Sequence, residues 1–402
     1  MALDTASAPM TAEGGLGRLA DRRASPPARA LRARFGLVLM VTHACNLRCT
    51  YCYVGPKFCG AMPEEIAKSA IERALASVEP GGALELGFFG GEPLLEAPLV
   101  SALAGYAQER AETRGLRLAV GLTTNGTVST ADAWCVMSRP EIELAVSHDG
   151  LPEVHNRHRR FADGCSSSAH VINTIRRLIS IGKEFRVVMV VRPDNVAFLS
   201  AGMLFLRAIG VRRIDPSLDL WTRWTAADVR VLESAVADCA RIWRDGLPEF
   251  SVSWFDEKAA YLANVPVTET ARCGFGAGEV AVAPSGNLYP CERLIGEDAD
   301  GDPMRLPGHV LDGEDFLNLD GPPACAAARP VHQCNACAAY VACAACAECG
   351  IRTMCNTDCR CSNYVRTGDL GKPDGLLCAL NRACVRETAQ VLGTGSYGGA
   401  HD

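Results

Sequence analysis

Apolar and polar positions follow two periods along the first half of the chain. Six short, mostly apolar runs read as buried strands: Leu37–Val41, Leu84–Phe89, Leu116–Leu122, Ile142–Val146, Arg186–Val191 and Val211–Leu218. Between them the period lengthens to that of a helix. Pro63–Ser77 opens on a proline, which suits a first helical turn. In Ala169–Ile181, Val171, Ile172, Ile175, Leu178 and Ile179 share one face. Strands alternating with helices imply a parallel sheet, so the pattern predicts an α/β fold, an open, partial TIM-like barrel of six β/α repeats. Its chemistry belongs at the carboxyl ends of the strands, where the βα loops converge. Residues 1–34 lack a sustained apolar period and read as a flexible arm. Residues 35–224 then form the barrel, 225–272 a helical linker, 273–388 a second domain rich in Gly, Pro and Cys, and 389–402 a flexible tail.

Length and composition sharpen this picture. A chain of 402 residues exceeds what one hydrophobic core usually organises, and 48% hydrophobic residues suit a well-buried protein. The formal charge is only −6 and the basic residues are scattered, which implies neither nucleic acid nor an anionic membrane as partner. No apolar run approaches the ~20 residues of a membrane span, and residues 1–15 lack the cationic start and apolar stretch of a secretory signal. The expected location is the cytoplasm. Twenty cysteines in a reducing compartment point to metal rather than disulfides. Thirteen lie from Cys273 onward and nine of those between Cys325 and Cys361, a crowding of soft thiolates that suits iron–sulfur clusters or zinc.

Directly after the first predicted strand, Cys45, Cys49 and Cys52 stand in one CxxxCxxC loop. Three thiolates on a [4Fe–4S] cubane leave one iron open for a small molecule; a zinc knuckle is the plainer alternative. The spacing, with Tyr51 before the last cysteine, resembles the radical S-adenosylmethionine superfamily. That resemblance implies S-adenosylmethionine held on the open iron and cleaved to a 5′-deoxyadenosyl radical. Gly90, Gly91, Glu92 and Pro93, after the second strand, resemble the family's GGEP element, whose backbone and Glu receive the methionine ammonium. Thr123–Gly126 and Ser147–Gly150 resemble loops that line the cofactor pocket, giving Thr124, Asn125, Ser147 and Asp149 as candidates; read singly, each is also an ordinary turn. The stretch His155–Arg159 resembles a family His-Asp-x-x-Arg, with Asn156 in place of the acid. Arg159 then faces the cofactor carboxylate, or belongs to a solvated basic loop. Arg192 and Asn195 are placed to reach the adenosine.

The cysteine-rich region resembles the family's SPASM extension, found in peptide-modifying members with two auxiliary [4Fe–4S] clusters. Twelve residues separate Cys273 from Gly286 and four more separate that glycine from Cys291; Cys346, Cys349, Cys355 and Cys359 match the central quartet, and Cys378 closes the pattern. By that resemblance Cys346, Cys349, Cys355 and Cys378 hold the outer cluster, and Cys273, Cys291 and Cys359 the inner one. Some relatives supply a fourth inner cysteine, at a position near Glu279 here. A substrate thiolate, Cys325 or Cys361 is left to complete that set. Cys325, Cys334, Cys337 and Cys343 exceed the pattern and bind a third cluster, a zinc ion, or nothing. Glu292 follows Cys291 where anaerobic sulfatase-maturating enzymes carry an acid that takes up the substrate proton; it acts as a general base or pairs with Arg293. The resemblance thus implies a peptide or protein substrate, a reducing partner such as flavodoxin or ferredoxin, and possibly delegated leader recognition by a separate binding protein. The products considered are a thioether, a carbon–carbon crosslink or an oxidised residue. The alternatives are a sulfatase-type formylglycine maturase, a radical enzyme of small molecules, and a non-enzymatic electron carrier.

Overall fold

The computed structural model describes residues 30–58, 60–263, 275–276, 278–317, 319, 349–355 and 359–393. All six expected strands are present: β1 (Arg32–Thr42), β2 (Val78–Gly90), β3 (Arg117–Thr124), β4 (Ile142–Ser147), β5 (Phe185–Val191) and β6 (Arg213–Leu218). They alternate with α1 (Glu64–Ala76), α2 (Ala97–Thr113), α3 (Ala131–Ser138), α4 (Pro152–His158), α5 (Ser168–Ser180) and α6 (Leu199–Ala208). There follow α7 (Ala226–Arg244), β7 (Ser251–Val252), α8 (Ser253–Leu262), β8 (Glu279–Val282), β9 (Leu288–Tyr289), α9 (Arg360–Thr367) and α10 (Gly375–Leu392).

One sheet holds every named strand in the order β7-β6-β5-β4-β3-β2-β1-β8-β9. Only the β8–β9 pairing is antiparallel. The sheet is open, with β7 and β9 at its edges. Its core lies between the strands and their covering helices, where Leu37, Leu39 and Val41 of β1 meet Leu86 and Phe88 of β2, Ile71 and Leu75 of α1, and Leu103 of α2. The helical face expected over Ala169–Ile181 is the buried face of α5, which carries Val171, Ile172, Ile175 and Leu178; Ile179 is exposed.

Three strands exceed the six repeats. β7 interrupts the stretch Thr225–Ala263, which the pattern makes continuously helical. α7 begins at a capping box between Thr225 and Asp228, but Gly246 and Pro248 end the helical run, because proline has no N–H to donate. The chain then pairs Ser251 with Arg213 and Val252 with Ile214. On the far side, β8 adds itself to β1 from Gly36↔Glu279 to Leu39↔Val282. A Cβ on Gly36 would stand 2.9 Å from Cγ of Glu279, so this glycine gives the Glu279 side chain room to cross β1. α10 returns to the same core, bringing Leu376, Ala383 and Cys384 to the cluster that contains Leu232, Val236 and Trp243 of α7. Buried Arg73 of α1 ties down the 309–316 segment. It donates to the carbonyls of His309 (2.8 Å), Val310 (3.0 Å) and Asp315 (2.7 Å) and lies 4.3 Å over the Phe316 ring.

Because β1 to β6 run parallel, their carboxyl ends lie on one side, and the candidate loops after β1 to β4 converge there. Among the described residues no helix is long and apolar enough to cross a membrane.

Candidate active site

The loop after β1 carries Cys45, Cys49 and Cys52 as free, partly buried thiols. It is fixed from both flanks by backbone bonds: Arg48 N–H donates to Arg160 O (2.8 Å), Thr50 to His158 O (3.1 Å) and Ala162 to Asn46 O (3.0 Å). Donors surround the sulfurs. Leu47 N–H lies 3.4 Å and Asn125 Nδ2 3.8 Å from Cys45 Sγ, and Lys57 Nζ lies 3.0 Å from Cys52 Sγ. Burial pushes the Cys45 and Cys49 thiols up, that of Cys49 to about 12, so as free thiols they stay protonated at neutral pH. A bound metal reverses this, since coordination expels the thiol proton. Three soft sulfur donors in one short loop, with N–H groups to polarise them, fit an iron–sulfur cluster of three protein ligands.

The GGEP element fastens the end of β2 to this loop. Gly91 N–H donates to Thr42 O (2.8 Å) and Glu92 N–H to Ala44 O (2.9 Å). A Cβ on Gly91 would sit 2.2 Å from Ala44 O, and one on Gly90, whose φ is +150°, 2.4 Å from Thr42 O. Close backbone approach is thus required here by the cysteine loop itself. Glu92 is fully buried. Its Oε1 accepts from Leu94 N–H (3.0 Å) and the Thr124 hydroxyl (2.8 Å), and its Oε2 from Asn125 N–H (2.6 Å). The carboxylate therefore joins the β2 and β3 loops, a bracing role that the motif alone does not reveal. Burial raises it to about 7 despite these three donors. Asn125 continues the chain to Asn46 (2.9 Å), whose amide reaches the Thr127 hydroxyl (2.7 Å).

Asp149, buried at the end of β4, gathers a second group. It accepts from Tyr51 OH (2.5 Å), Arg159 Nε (3.2 Å) and Val190 N–H (3.1 Å). Burial opposes the charge on Arg159, but Asp149 outweighs it and holds the guanidinium firmly charged. Arg159 faces Asp149 and lies 5.3 Å over the Tyr51 ring. Asp149 N–H also donates to His155 Nδ1 (3.3 Å), and His155 stacks on His148 at 4.1 Å. Burial pushes both imidazoles far down, so they serve as neutral packing and hydrogen-bonding groups. Ser147 is buried beside them. Arg192 pairs with Asp219, a residue at the end of β6 that the sequence patterns do not single out; Asn195 bonds to Arg192 N–H (2.7 Å) and Val190 O (2.9 Å).

Comparison with known proteins agrees with this arrangement. Residues 39–197 match the profile of the radical SAM superfamily. This segment is a radical SAM domain. An uncharacterized protein of Methanocaldococcus jannaschii is 30% identical over 46% of the chain and 62% of its own length. A serine-type anaerobic sulfatase-maturating enzyme of Klebsiella aerogenes is 27% identical over 63% of the chain and 65% of its own length. The alignments thus take in under two thirds of these relatives. In fold, the structure of native anSMEcpe with bound AdoMet and Cp18Cys peptide matches 90% of this chain and 98% of its own, with a TM-score of 0.71 at 18% identity. Streptococcus suis SuiB bound to precursor peptide SuiA matches 85% and 75%, with a TM-score of 0.56 at 15% identity.

A second group of thiols lies beyond the radical SAM domain, where β8, β9 and α9 meet. Cys291, Cys359 and Cys361 belong to one small cluster with Phe275, Met304 and Leu370. Cys359 Sγ and Cys361 Sγ are 3.2 Å apart, and Cys361 also bonds Cys291. The Glu279 and Glu292 carboxylates join Cys291, with one donor atom from each of the three all within 4.8 Å of one another. Burial and then the Glu292 charge raise Glu279 to about 7. Cys291 Sγ lies 3.3 Å from Glu292 Oε2. Arg293, another residue the sequence patterns leave unassigned beyond its pairing with Glu292, stands within electrostatic reach of Cys361, Glu292 and Cys359. Cys349 and Cys355 flank the turn Arg352–Met354, and Cys378 lies in α10. Cys273, Cys325, Cys334, Cys337, Cys343 and Cys346 lie outside the described residues.

Proposed function

We propose that this chain cleaves S-adenosylmethionine reductively to a 5′-deoxyadenosyl radical, which abstracts hydrogen from a peptide or protein substrate. The carrying observation is the loop of Cys45, Cys49 and Cys52, tied by Gly91 and Glu92 to the carboxyl end of β2 within a radical SAM domain. When bound, a [4Fe–4S] cluster supplies the electron that breaks the sulfonium bond. The three cysteines hold that cluster, and Gly90, Gly91, Pro93, Thr124, Asn125 and Ser147 line the cofactor's side of the mouth. Glu92 and Asp149 fix the loops that carry them, Asp149 by holding Tyr51 and Arg159.

A peptide or protein substrate is supported by relatives named as sulfatase-maturating enzymes and by fold likeness to proteins solved with peptides. In this reading the cysteine-rich region is a SPASM domain. Cys346, Cys349, Cys355 and Cys378 hold its outer cluster, Cys273, Cys291 and Cys359 its inner one, and the additional cysteines offer a further site. A flavodoxin or ferredoxin supplies electrons, and a thioether, a carbon–carbon crosslink or an oxidised residue results. One observation favours formylglycine formation as a second reading: Glu292 stands beside Cys291, positioned to take up a substrate proton. A co-expressed sulfatase peptide that loses two hydrogens from its Cys or Ser, seen by mass spectrometry, would select it.

The test of the shared first step is anaerobic reconstitution with iron and sulfide, followed by dithionite and S-adenosylmethionine. The wild-type chain is expected to release 5′-deoxyadenosine, and the Cys45→Ala, Cys49→Ala, Cys52→Ala triple variant none. Equal release from both would reject the reading.

A further inference from the structure

The inner thiol site departs from the pattern that its cysteine spacing resembles. Where some relatives place a cysteine between the first and second of the series, this chain has Glu279, the first residue of β8. The structure brings that carboxylate beside Cys291, and it brings a different sulfur to the same place.

That sulfur belongs to Cys361, in the first turn of α9. Cys359 caps the helix and Cys361 lies two residues on, so both side chains emerge from one helix end. No side chain caps that end, and its free N–H groups favour negative charge. Cys361 is 2% exposed, 3.2 Å from Cys359 Sγ, and hydrogen-bonded to Cys291. Ser362 Oγ donates to Cys359 Sγ at 3.0 Å. Three sulfurs thus converge from two elements in a pocket walled by Phe275, Met304 and Leu370. Iron–sulfur clusters are held by soft thiolates, whereas carboxylates suit harder cations. The Arg293 guanidinium, within reach of Cys361 and Cys359, offsets the negative charge that such a set would gather.

We propose that Cys361 is a ligand of the inner auxiliary iron–sulfur centre, together with Cys291 and Cys359, and that Glu279 lies beside that centre without binding it. This rests on the reading of an auxiliary centre at this site. Cys361 then brings from α9 the sulfur that β8 lacks, and it leaves the iron it occupies closed to a substrate thiolate.

The test uses the full chain with Cys45, Cys49 and Cys52 replaced by alanine, so that the first cluster does not contribute. After anaerobic reconstitution, iron, sulfide and the reduced EPR spectrum are compared for this parent and for added Cys361→Ala, Cys361→Ser, Cys291→Ala, Glu279→Gln and Cys384→Ala. Cys361→Ala is expected either to lose about four irons, one cubane, or to keep them with a changed EPR signal that shifts again on addition of 2-mercaptoethanol. Cys361→Ser should behave likewise while matching the parent's circular dichroism, which separates lost ligation from lost folding. Glu279→Gln and Cys384→Ala, the latter removing a buried thiol elsewhere in the core, should match the parent in iron and spectrum. A Cys361→Ala protein with full iron and an unchanged spectrum would overturn the assignment, as would equal iron loss in Glu279→Gln or Cys384→Ala. If Cys291→Ala also leaves iron and spectrum untouched, the auxiliary-centre reading itself fails.

Discussion

Two buried carboxylates, Glu92 and Asp149, organise the mouth of the sheet, and they do so in different ways. Asp149 is the counter-ion of buried Arg159, so Asp149→Ala leaves a guanidinium without its partner in the interior. Removing one member of a buried pair costs roughly 3–5 kcal/mol, and guanidinium unfolding should show that loss; a change below about 1 kcal/mol, the range of an exposed pair, would mean that Arg159 finds another anion. Glu92 has no cation, and burial raises it from 4.5 to about 7. Between those values the unfolded chain has released a proton that the folded chain keeps, so stability falls as pH rises through the window and levels off above it. The whole decline amounts to roughly 3 kcal/mol. In cluster-free protein, Glu92→Gln should remove that slope between about pH 4.5 and 7; parallel unfolding curves for both proteins across this range would refute the assignment. The three cysteines of the first loop are legible in the sequence because they are consecutive along the chain. The partners of Glu92 are not, since Thr124 and Asn125 lie more than thirty residues away and meet it only after β2 and β3 pair.

The strands that the pattern reveals are those long enough to show a period. β1 to β6 each span six residues or more, whereas β7 and β9 have two and β8 has four, too few to stand out from a loop. β8 nonetheless positions Glu279 and leads through β9 to Cys291 and Glu292, so the shortest strands carry part of the candidate site. The junction of β1 and β2 carries the rest. The Cβ of Gly91→Ala would have to displace the backbone of the cysteine loop by about an ångström to relieve its 2.2 Å approach to Ala44 O. Misplacement of that size can cost about 100-fold in rate. Gly91→Ala is therefore expected to lower 5′-deoxyadenosine formation about 100-fold while the circular dichroism of the sheet is retained. An undiminished rate would show that the loop gives way freely.

At the scale of the whole molecule, the stretch assigned to the second domain is woven into the first. β8 is hydrogen-bonded to β1 in the central sheet, α10 shares the core of α7, and Arg73 holds the 309–316 segment against α1 through four bonds to backbone carbonyls. The composition of that stretch, rich in Gly, Pro and Cys, hides this, because the apolar residues it contributes to the sheet are few and scattered between turns. A chain ending at residue 263 would keep every residue of the radical SAM domain. It would also expose the β1 edge, with Leu37 and Leu39 along it, and the face of α7 that carries Leu232, Val236 and Trp243. Unpaired apolar edges template aggregation, and an uncovered helix face loses its burial energy. Expression of residues 1–263 should therefore give insoluble or aggregated protein, whereas the full chain runs as a defined species in size-exclusion chromatography. A soluble truncated protein with an unchanged thermal midpoint would mean that the barrel closes its own core and that β8 and α10 merely dock upon it.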